Sequence, residues 1–220
     1  MNDVFTRSVA VFPLPDIAVL PGEVIPLQIF EPRYRRMIDE IEANDYLLGV
    51  SMAEKVIHQP ELKGDTNPLQ RNQTLYEPKK ILGCGPIVIT ERLEDKRVMI
   101  ELHVQNKVEV IEYTQNLPFY LAKVKQLQIT SSSEKESEKM LAQDIKEDFL
   151  LLVSSFDANA SMTIQRQIQD LDLEQLVVFV LGLIRFSGNF KQSLLEQDSW
   201  FNCGKILLNK LPELFPRTTH

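Results

Sequence analysis

The chain is poor in the residues that staple small proteins or bind metals. Its 220 residues include two cysteines, Cys84 and Cys203, and three histidines. Two cysteines this far apart make no disulfide framework, and neither has a metal-ligand spacing from the other or from a histidine. We therefore expect two reduced, buried thiols, no metal site and no cofactor.

Positive charge is also in deficit. Lysine and arginine together number 24 against 31 aspartates and glutamates, which gives a net charge of −7. Neither the first 130 residues nor the remainder is basic, whereas binding to a phosphate backbone needs clustered lysine and arginine. The charge balance argues against nucleic acid as a partner.

Long apolar runs are missing too. The longest, Leu176–Ile184, is interrupted by Gly182 and has about half the length that a bilayer crossing needs. Near the N-terminus, Pro13, Pro15 and Asp16 interrupt the apolar stretch that would form the core of a signal peptide. We expect no membrane partner and a cytoplasmic location.

The sequence also lacks nucleotide-binding and catalytic motifs. Gly83-Cys84-Gly85 has none of the later elements of a P-loop, and Gly188–Lys191 lacks the second glycine. His103 and Glu101 share a predicted strand face, but acid–base or metal chemistry would need a third converging group. We predict no catalytic residue, and keep a hydrolase built on carboxylates such as Glu101 or Glu109 as a further alternative.

The most constrained part of the sequence is Val19–Ile38. Pro21-Gly22 predicts a turn, because proline presets one φ and glycine tolerates a positive φ. Val24–Phe30 predicts a strand, and Pro26 restricts that strand to a sheet edge or a bulge. Pro32 suits the first position of a helix, whose buried face is predicted by the helical spacing of Tyr34, Met37, Ile38 and Ile41.

The following residues up to position 130 predict further strands. Arg97–Val104 alternates most regularly, and together with Ile87–Leu93 and Lys107–Tyr113 it predicts a three-stranded antiparallel meander. Phe119–Ile129 predicts a closing strand. Its apolar phase slips within Val124–Leu127, which predicts a bulge there.

Composition changes at the serine- and glutamate-rich stretch that begins at Ser131, and helical spacing follows. Asp172 predicts the capped start of a helix over Leu173–Phe186, and Ser187-Gly188 predicts its end. Two other helices are predicted from apolar stripes, one with Leu141, Ile145, Phe149, Leu152 and Phe156 and one with Trp200, Cys203, Leu207 and Leu211.

Two domains are therefore predicted, a β-rich domain over 1–130 and an α-helical bundle over 131–220, in the fold class α+β. Within the first, Glu54–Lys79 contains prolines, a glycine and few apolar residues. A connection of this length either has a function, such as binding a partner, or is a mobile excursion with no special role.

Several segments share the pattern of one known family. They are Phe12-Pro13-Leu14, Leu20–Glu23, Ile25-Pro26-Leu27, Ile29–Arg35 and, late in the chain, Lys191–Glu196. These segments resemble the LON substrate-binding domain, the N-terminal domain of Lon-type ATP-dependent proteases. The chain departs from that pattern at Gly85-Pro86 and at Gln105–Lys107. The resemblance implies a β-rich PUA-like pseudobarrel followed by a C-terminal helical bundle, in a stand-alone form without ATPase or protease domains.

The resemblance also implies a non-catalytic module that binds exposed apolar or unfolded polypeptide segments, with an adaptor role for a protease in protein quality control. The candidate peptide-binding residues are Phe30, Glu31, Arg33 and Tyr34. We expect the surface in a groove between the β-rich domain and the helices, near the loop that begins at Glu54, where the edge strand with Pro26 could accept an extended peptide. Glu31 and Arg33 have a second interpretation, as structural anchors at a helix start. The alternative function is an RNA- or nucleotide-binding PUA-like module, since some folds of that kind bind RNA. The oligomeric state is not predicted.

Overall fold

The structure, a computed structural model, describes residues 7–58, 74–131 and 135–215. The chain divides into two compact units. The first, called the β unit, holds the described residues up to Leu127 together with Ser187–Glu196, and the second, called the helical unit, holds Gln128–Phe186 and the residues from Gln197 onward. The single predicted boundary at residue 131 does not anticipate that Ser187–Glu196 belongs with the strands.

All strands of the described residues lie in the β unit. They are β1 Val9–Leu14, β2 Val24–Ile29, β3 Leu47–His58, β4 Leu75–Pro78, β5 Ile81–Gly85, β6 Ile87–Arg92, β7 Val98–His103, β8 Asn106–Gln115 and β9 Tyr120–Leu127. The helices are α1 Pro32–Asn44, α2 Lys135–Phe156, α3 Ala158–Ile168, α4 Leu173–Leu183, α5 Gly188–Leu195 and α6 Trp200–Lys210. The predicted α+β class, a β-rich barrel followed along the chain by helices, is confirmed.

Five strands close into a barrel. β1 pairs with β9 antiparallel along one edge and with β3 in parallel along the other, so the order β1-β9-β8-β5-β3 returns to β1. β4 extends the same sheet beyond β3, while β2, β7 and β6 form a three-stranded sheet. Closure leaves the barrel strands without exposed edges, which is how many all-β folds avoid edge-to-edge association.

The alternation of β1 divides the apolar core of the β unit in two. Val9 and Val11 pack with side chains of β3, β5, β8 and β9 inside the barrel. Ala10 and Phe12 point the other way, into a cluster with α1 and the three-stranded sheet. Because successive side chains of a strand point to opposite faces, the buried residues of this one strand contribute to both clusters.

The predicted meander is wrong in its third strand. β6 pairs with β7 as predicted, but β7 continues onto β2, and β8 pairs with β5 and β9. β5–β6 and β7–β8 form one long hairpin that bends between the two sheets. At the bend, the Gln105 N–H donates to the Cys84 carbonyl at 3.0 Å and the His103 N–H donates to the Pro86 carbonyl at 3.0 Å.

The predicted bulge is also misplaced. β9 keeps its register through Val124, which lies opposite Val110. The irregularities lie in β8, between Val110 and Glu112 and between Tyr113 and Gln115. The extra residues of β8 are exposed, as Ile111 is at 62%. The change in the apolar pattern of β9 is therefore not caused by a bulge in β9.

The constrained block folds as predicted. Gly22 has a φ of 93°, and its N–H donates to the Val104 carbonyl at 2.8 Å. β2 carries Pro26 and pairs with β7, while α1 begins at Pro32. The predicted helix face is buried, with Met37 and Ile38 fully so.

The helical unit confirms most of the predicted stripes. The Asp172 side chain accepts the Gln175 N–H at 2.9 Å in a complete capping box. The last predicted stripe is buried in full, and so are the first four residues of the α2 stripe. Phe156 is the exception, because it is the last residue of α2 and is 70% exposed.

Ser187-Gly188 begins a helix, although the sequence pattern predicts a helix end. α4 has already ended at Leu183. The Ser187 hydroxyl accepts the Phe190 N–H at 3.3 Å as the cap of α5. Serine and glycine occur at both ends of helices, so the dipeptide alone does not tell them apart.

Three other predictions concern the long connection, the membrane and the thiols. β3 extends to His58 and pairs with β4 from Leu75 onward, so the ends of the predicted loop are strands; residues 59–73 lie outside the described residues. None of the helices in the described ranges has both the length and the apolar character of a bilayer span. Cys84 and Cys203 are buried and share no disulfide, and burial raises the pKa of the Cys84 thiol to about 12.

Candidate functional site

A cleft of about 280 Å³ opens in the β unit beside the junction of β2 and α1. All four predicted peptide-binding residues line it. The remaining walls come from the end of β1 and the loop after it, from β2 and from the start of β4. The full lining is Phe12, Pro13, Leu14, Pro15, Ile17, Leu27, Gln28, Phe30, Glu31, Arg33, Tyr34, Thr74 and Tyr76.

The corner between β2 and α1 brings the four residues together. Glu31 is the N-cap of α1 with extended backbone, φ −67° and ψ 138°, and Pro32 occupies the first turn. The Glu31 carbonyl accepts the N–H groups of Tyr34 at 3.0 Å and Arg35 at 2.9 Å. Proline and the residue before it have few backbone states, so this corner is specified locally.

A buried ion pair forms one wall of the cleft. The Arg33 guanidinium lies 2.9 Å from the Glu31 carboxylate, and the two side chains are only 6% and 12% exposed. The same guanidinium donates to the Thr74 carbonyl at 2.9 Å. A buried charge is tolerated when it is paired and hydrogen-bonded, and the pair adds no net charge to the cleft.

Aromatic rings form the floor. Tyr34 is 4% exposed, and its ring packs against Phe12 with the centroids 4.4 Å apart and the planes at 57°. The Arg33 guanidinium carbon lies over the Tyr34 ring, 4.4 Å from its centroid. Nearby, the Tyr120 hydroxyl donates to the Tyr76 carbonyl at 3.3 Å. Tilted ring pairs and a cation over a ring face are both favourable arrangements.

Burial raises the pKa of three tyrosines in and near this region. It raises the pKa of Tyr34 far above the ordinary value, although the neighbouring Arg33 opposes part of the shift. Burial also raises the pKa of Tyr113 to about 12 and raises the pKa of Tyr120. Tyr34 therefore presents a neutral ring to the cleft.

A pH titration tests this environment. Because the folded-state pKa values of Tyr34, Tyr113 and Tyr120 lie above those of the unfolded chain, the folded protein holds more protons above about pH 10, and stability is lost as pH rises from there. We expect the ultraviolet absorbance of phenolate, from five tyrosines, to lag behind that of the unfolded protein in guanidinium. Coincident titration curves would contradict the buried placement, and Tyr34→Phe should remove part of the lag.

Sequence reasoning missed part of the lining. Phe12 and Leu27 belong to segments that carry the family resemblance, but nothing in the sequence assigned either residue to a binding site. Thr74 and Tyr76 lie in the predicted Glu54–Lys79 connection, which was expected near this surface, but neither residue was singled out. The other residues weighed for chemistry stay apart from the cleft: His103 lies 3.8 Å from Glu101, both about half exposed, and no potential metal-binding cluster occurs in the described residues.

Comparisons with known proteins agree with this architecture. The chain is 23% identical over 215 residues to Lon protease 1 of Herpetosiphon aurantiacus, which covers 96% of the chain but 24% of that protein. It therefore spans about a quarter of the length of this curated relative.

Two solved structures have the same fold. The N-terminal domain of the Lon protease of Mycobacterium avium complex superposes with a TM-score of 0.69 at 15% identity, covering 94% of this chain and 99% of that one. The Lon N-terminal domain protein of Xanthomonas campestris gives a TM-score of 0.60 at 16% identity, covering 96% and 99%.

The family comparison extends over most of the chain. Residues 8–200 match the model of the ATP-dependent protease La (LON) substrate-binding domain. The matched region contains the barrel, the β2–α1 corner with its cleft, and α2 to α5. The chain belongs to the LON substrate-binding domain family.

Proposed function

We propose that the cleft beside β2 and α1 binds an exposed apolar segment of another polypeptide, and that the chain acts as a non-catalytic recognition module. The observation that carries the proposal is the lining of the cleft, in which aromatic, aliphatic and proline side chains predominate. Concave apolar sites with a few fixed polar groups are typical ligand sites.

The electrostatics of the cleft favour an uncharged side chain. Glu31 and Arg33 neutralise each other within the wall, so an occupant meets no net charge to attract a single ionised group. A large apolar side chain that moves from water into the cleft gains about 1.5–3 kcal/mol. That gain alone gives weak binding, so we propose that the peptide backbone also contributes, by lying along the edge strand β2.

The family supports a proposal about the biological setting. Its description names substrate binding, and the relatives compared above are Lon proteases or their N-terminal domains. We propose that the chain recognises unfolded polypeptides and acts as an adaptor for a protease. Only the substrate-binding part of Lon is matched, and the cytoplasmic location and the stand-alone form stay predictions.

Phe30→Ala tests the cleft directly. Phe30 is half-buried in the lining, so its loss should weaken binding of an unfolded model protein, reduced carboxymethylated α-lactalbumin, by about tenfold or more. The measurement is fluorescence anisotropy of the labelled model protein. Val88→Ala is the matched control, because Val88 is an exposed apolar residue of the same unit outside the cleft lining.

The control should leave affinity within about twofold, and thermal denaturation of both variants checks that they are folded. No binding by the unaltered protein, or equal losses in the two variants, would contradict the proposal. A parallel titration with single-stranded RNA covers the alternative function. Salt-dependent RNA binding without peptide binding would favour that alternative, which the findings above do not favour.

A further inference from the structure

We propose that Asp16 is a positioning residue of the cleft, which ties the rim of the cleft to helix α5. Occupation of the cleft and docking of α5 on the strands and loops of the β unit are then coupled. This inference rests on the proposed function for the identity of the occupant, but the tie itself lies within the β unit and is testable without any ligand.

Asp16 stands in the middle of the rim. The residues on either side of it, Pro15 and Ile17, both line the cleft. Asp16 itself has a left-handed backbone with a φ of 54°, a conformation that aspartate and asparagine tolerate better than most residues. Its carboxylate accepts the N–H of Gly188, the first residue of α5, at 2.7 Å.

The same loop is held by α5 at a second point. The Lys191 ammonium lies 2.5 Å from one oxygen of the Glu23 carboxylate, and the other oxygen accepts the Leu20 N–H at 2.7 Å. The loop between β1 and β2 therefore contacts α5 at two points. Asp16 makes the contact near the start of the loop, and Glu23 makes the contact near the end of the loop. An occupant that touches Pro15 and Ile17 rests on a segment whose position depends on α5.

Thermodynamic reciprocity follows from this arrangement. If docked α5 holds the rim in the shape that binds a peptide, then a bound peptide must favour docked α5 by the same factor. In sequence, α5 is joined to residues of the helical unit at both ends, after Phe186 and before Gln197.

Asp16→Gly is the decisive variant. Glycine adopts a φ of 54° without strain, so this change removes the carboxylate without forcing the backbone away. We expect amide hydrogen exchange in the free protein to accelerate at least about fivefold in both 12–17 and 187–196. Affinity for the labelled unfolded model protein should fall about fivefold. Asp16→Asn retains an acceptor oxygen, so we expect it to restore both properties.

A matched control distinguishes loss of the Asp16–Gly188 contact from the general effect of removing an aspartate that caps a helix. Asp157 caps α3 of the helical unit by accepting the Asn159 and Ala160 N–H groups. Asp157→Gly should leave exchange in 12–17 unchanged. In the unaltered protein, the model substrate should slow exchange in 187–196, which a purely structural role of Asp16 would not require.

The outcomes distinguish the inference from the proposed function. If the unaltered protein binds no peptide, the proposed function is wrong. The contact between Asp16 and α5 is then tested by amide hydrogen exchange in the free protein alone. Joint acceleration of 12–17 and 187–196 in Asp16→Gly, reversed in Asp16→Asn, supports the tie. Acceleration of neither segment, or of only one, overturns it. Peptide binding that leaves exchange in 187–196 unchanged overturns the coupling.

Discussion

Lys191→Met is expected to lower the free energy of unfolding by about 3–5 kcal/mol. The side chains of Lys191 and Glu23 are 13% and 5% exposed, and their charged atoms are 2.5 Å apart. Removing the ammonium leaves the Glu23 carboxylate buried with the Leu20 N–H as a remaining partner. An uncompensated buried charge is costly, whereas methionine keeps most of the apolar stem of the lysine.

Urea denaturation followed by circular dichroism measures the effect, and a double-mutant cycle with Glu23→Gln isolates the pair. The double variant should recover a large part of the loss, because glutamine still accepts the Leu20 N–H and carries no charge. Lys123→Met is the control, since Lys123 and Glu112 form an exposed pair on the same unit and should contribute no more than about 1 kcal/mol. A similar small loss for Lys191→Met would show that this pair does not hold α5.

The corner that builds the cleft was predictable because its determinants are local. Pro26 allows β2 only at an edge or a bulge, Pro32 begins α1, and the spacing of Met37 and Ile38 orients the helix. Phe30 and Tyr34 lie on either side of that start, so their proximity in space follows from their proximity in sequence. Their role in binding is a proposal, but their common place beside one cleft follows from chain geometry.

The bend of the β5–β8 hairpin was not predictable from the same kind of reasoning. Alternation in Arg97–Val104 predicts which side chains are buried, and Val98, Ile100 and Leu102 are indeed buried. It does not specify the pairing partner of the next strand. β8 pairs with β5 and β9, and the alternation of β7 contains no information about either pairing. The bend depends on a close backbone approach at Gly85, which the sequence shows only as a glycine before a proline.

Helix α5 shows a different limit. The resemblance located Lys191–Glu196 in the family pattern, but a local pattern cannot show that Gly188 meets Asp16 or that Gln192 donates to the Ile81 carbonyl at 3.2 Å. Each of these contacts joins residues more than a hundred positions apart. Local sequence predicted a helix end at Ser187-Gly188, and these long-range contacts place a helix start there.

The bend also carries the second large prediction, in which one substitution has opposite effects at two glycines. Gly85→Ala should destabilise the protein by about 3–5 kcal/mol. A methyl group there would lie 1.8 Å from the His103 carbonyl oxygen and 3.1 Å from the Gln105 nitrogen. Both contacts are backbone atoms, so the strands must separate and lose the hydrogen bonds between Cys84 and Gln105 and between Pro86 and His103.

Gly182→Ala should instead stabilise the protein by up to about 1 kcal/mol. Gly182 lies in α4, and a methyl group built there meets nothing within 4 Å, so alanine gains helix propensity without a clash. Urea denaturation of both variants measures the contrast, since the substitution is chemically the same. If Gly85→Ala proved as harmless as Gly182→Ala, the two halves of the hairpin could not approach as closely as the bend requires. The bend of the hairpin between the two sheets would then need another explanation.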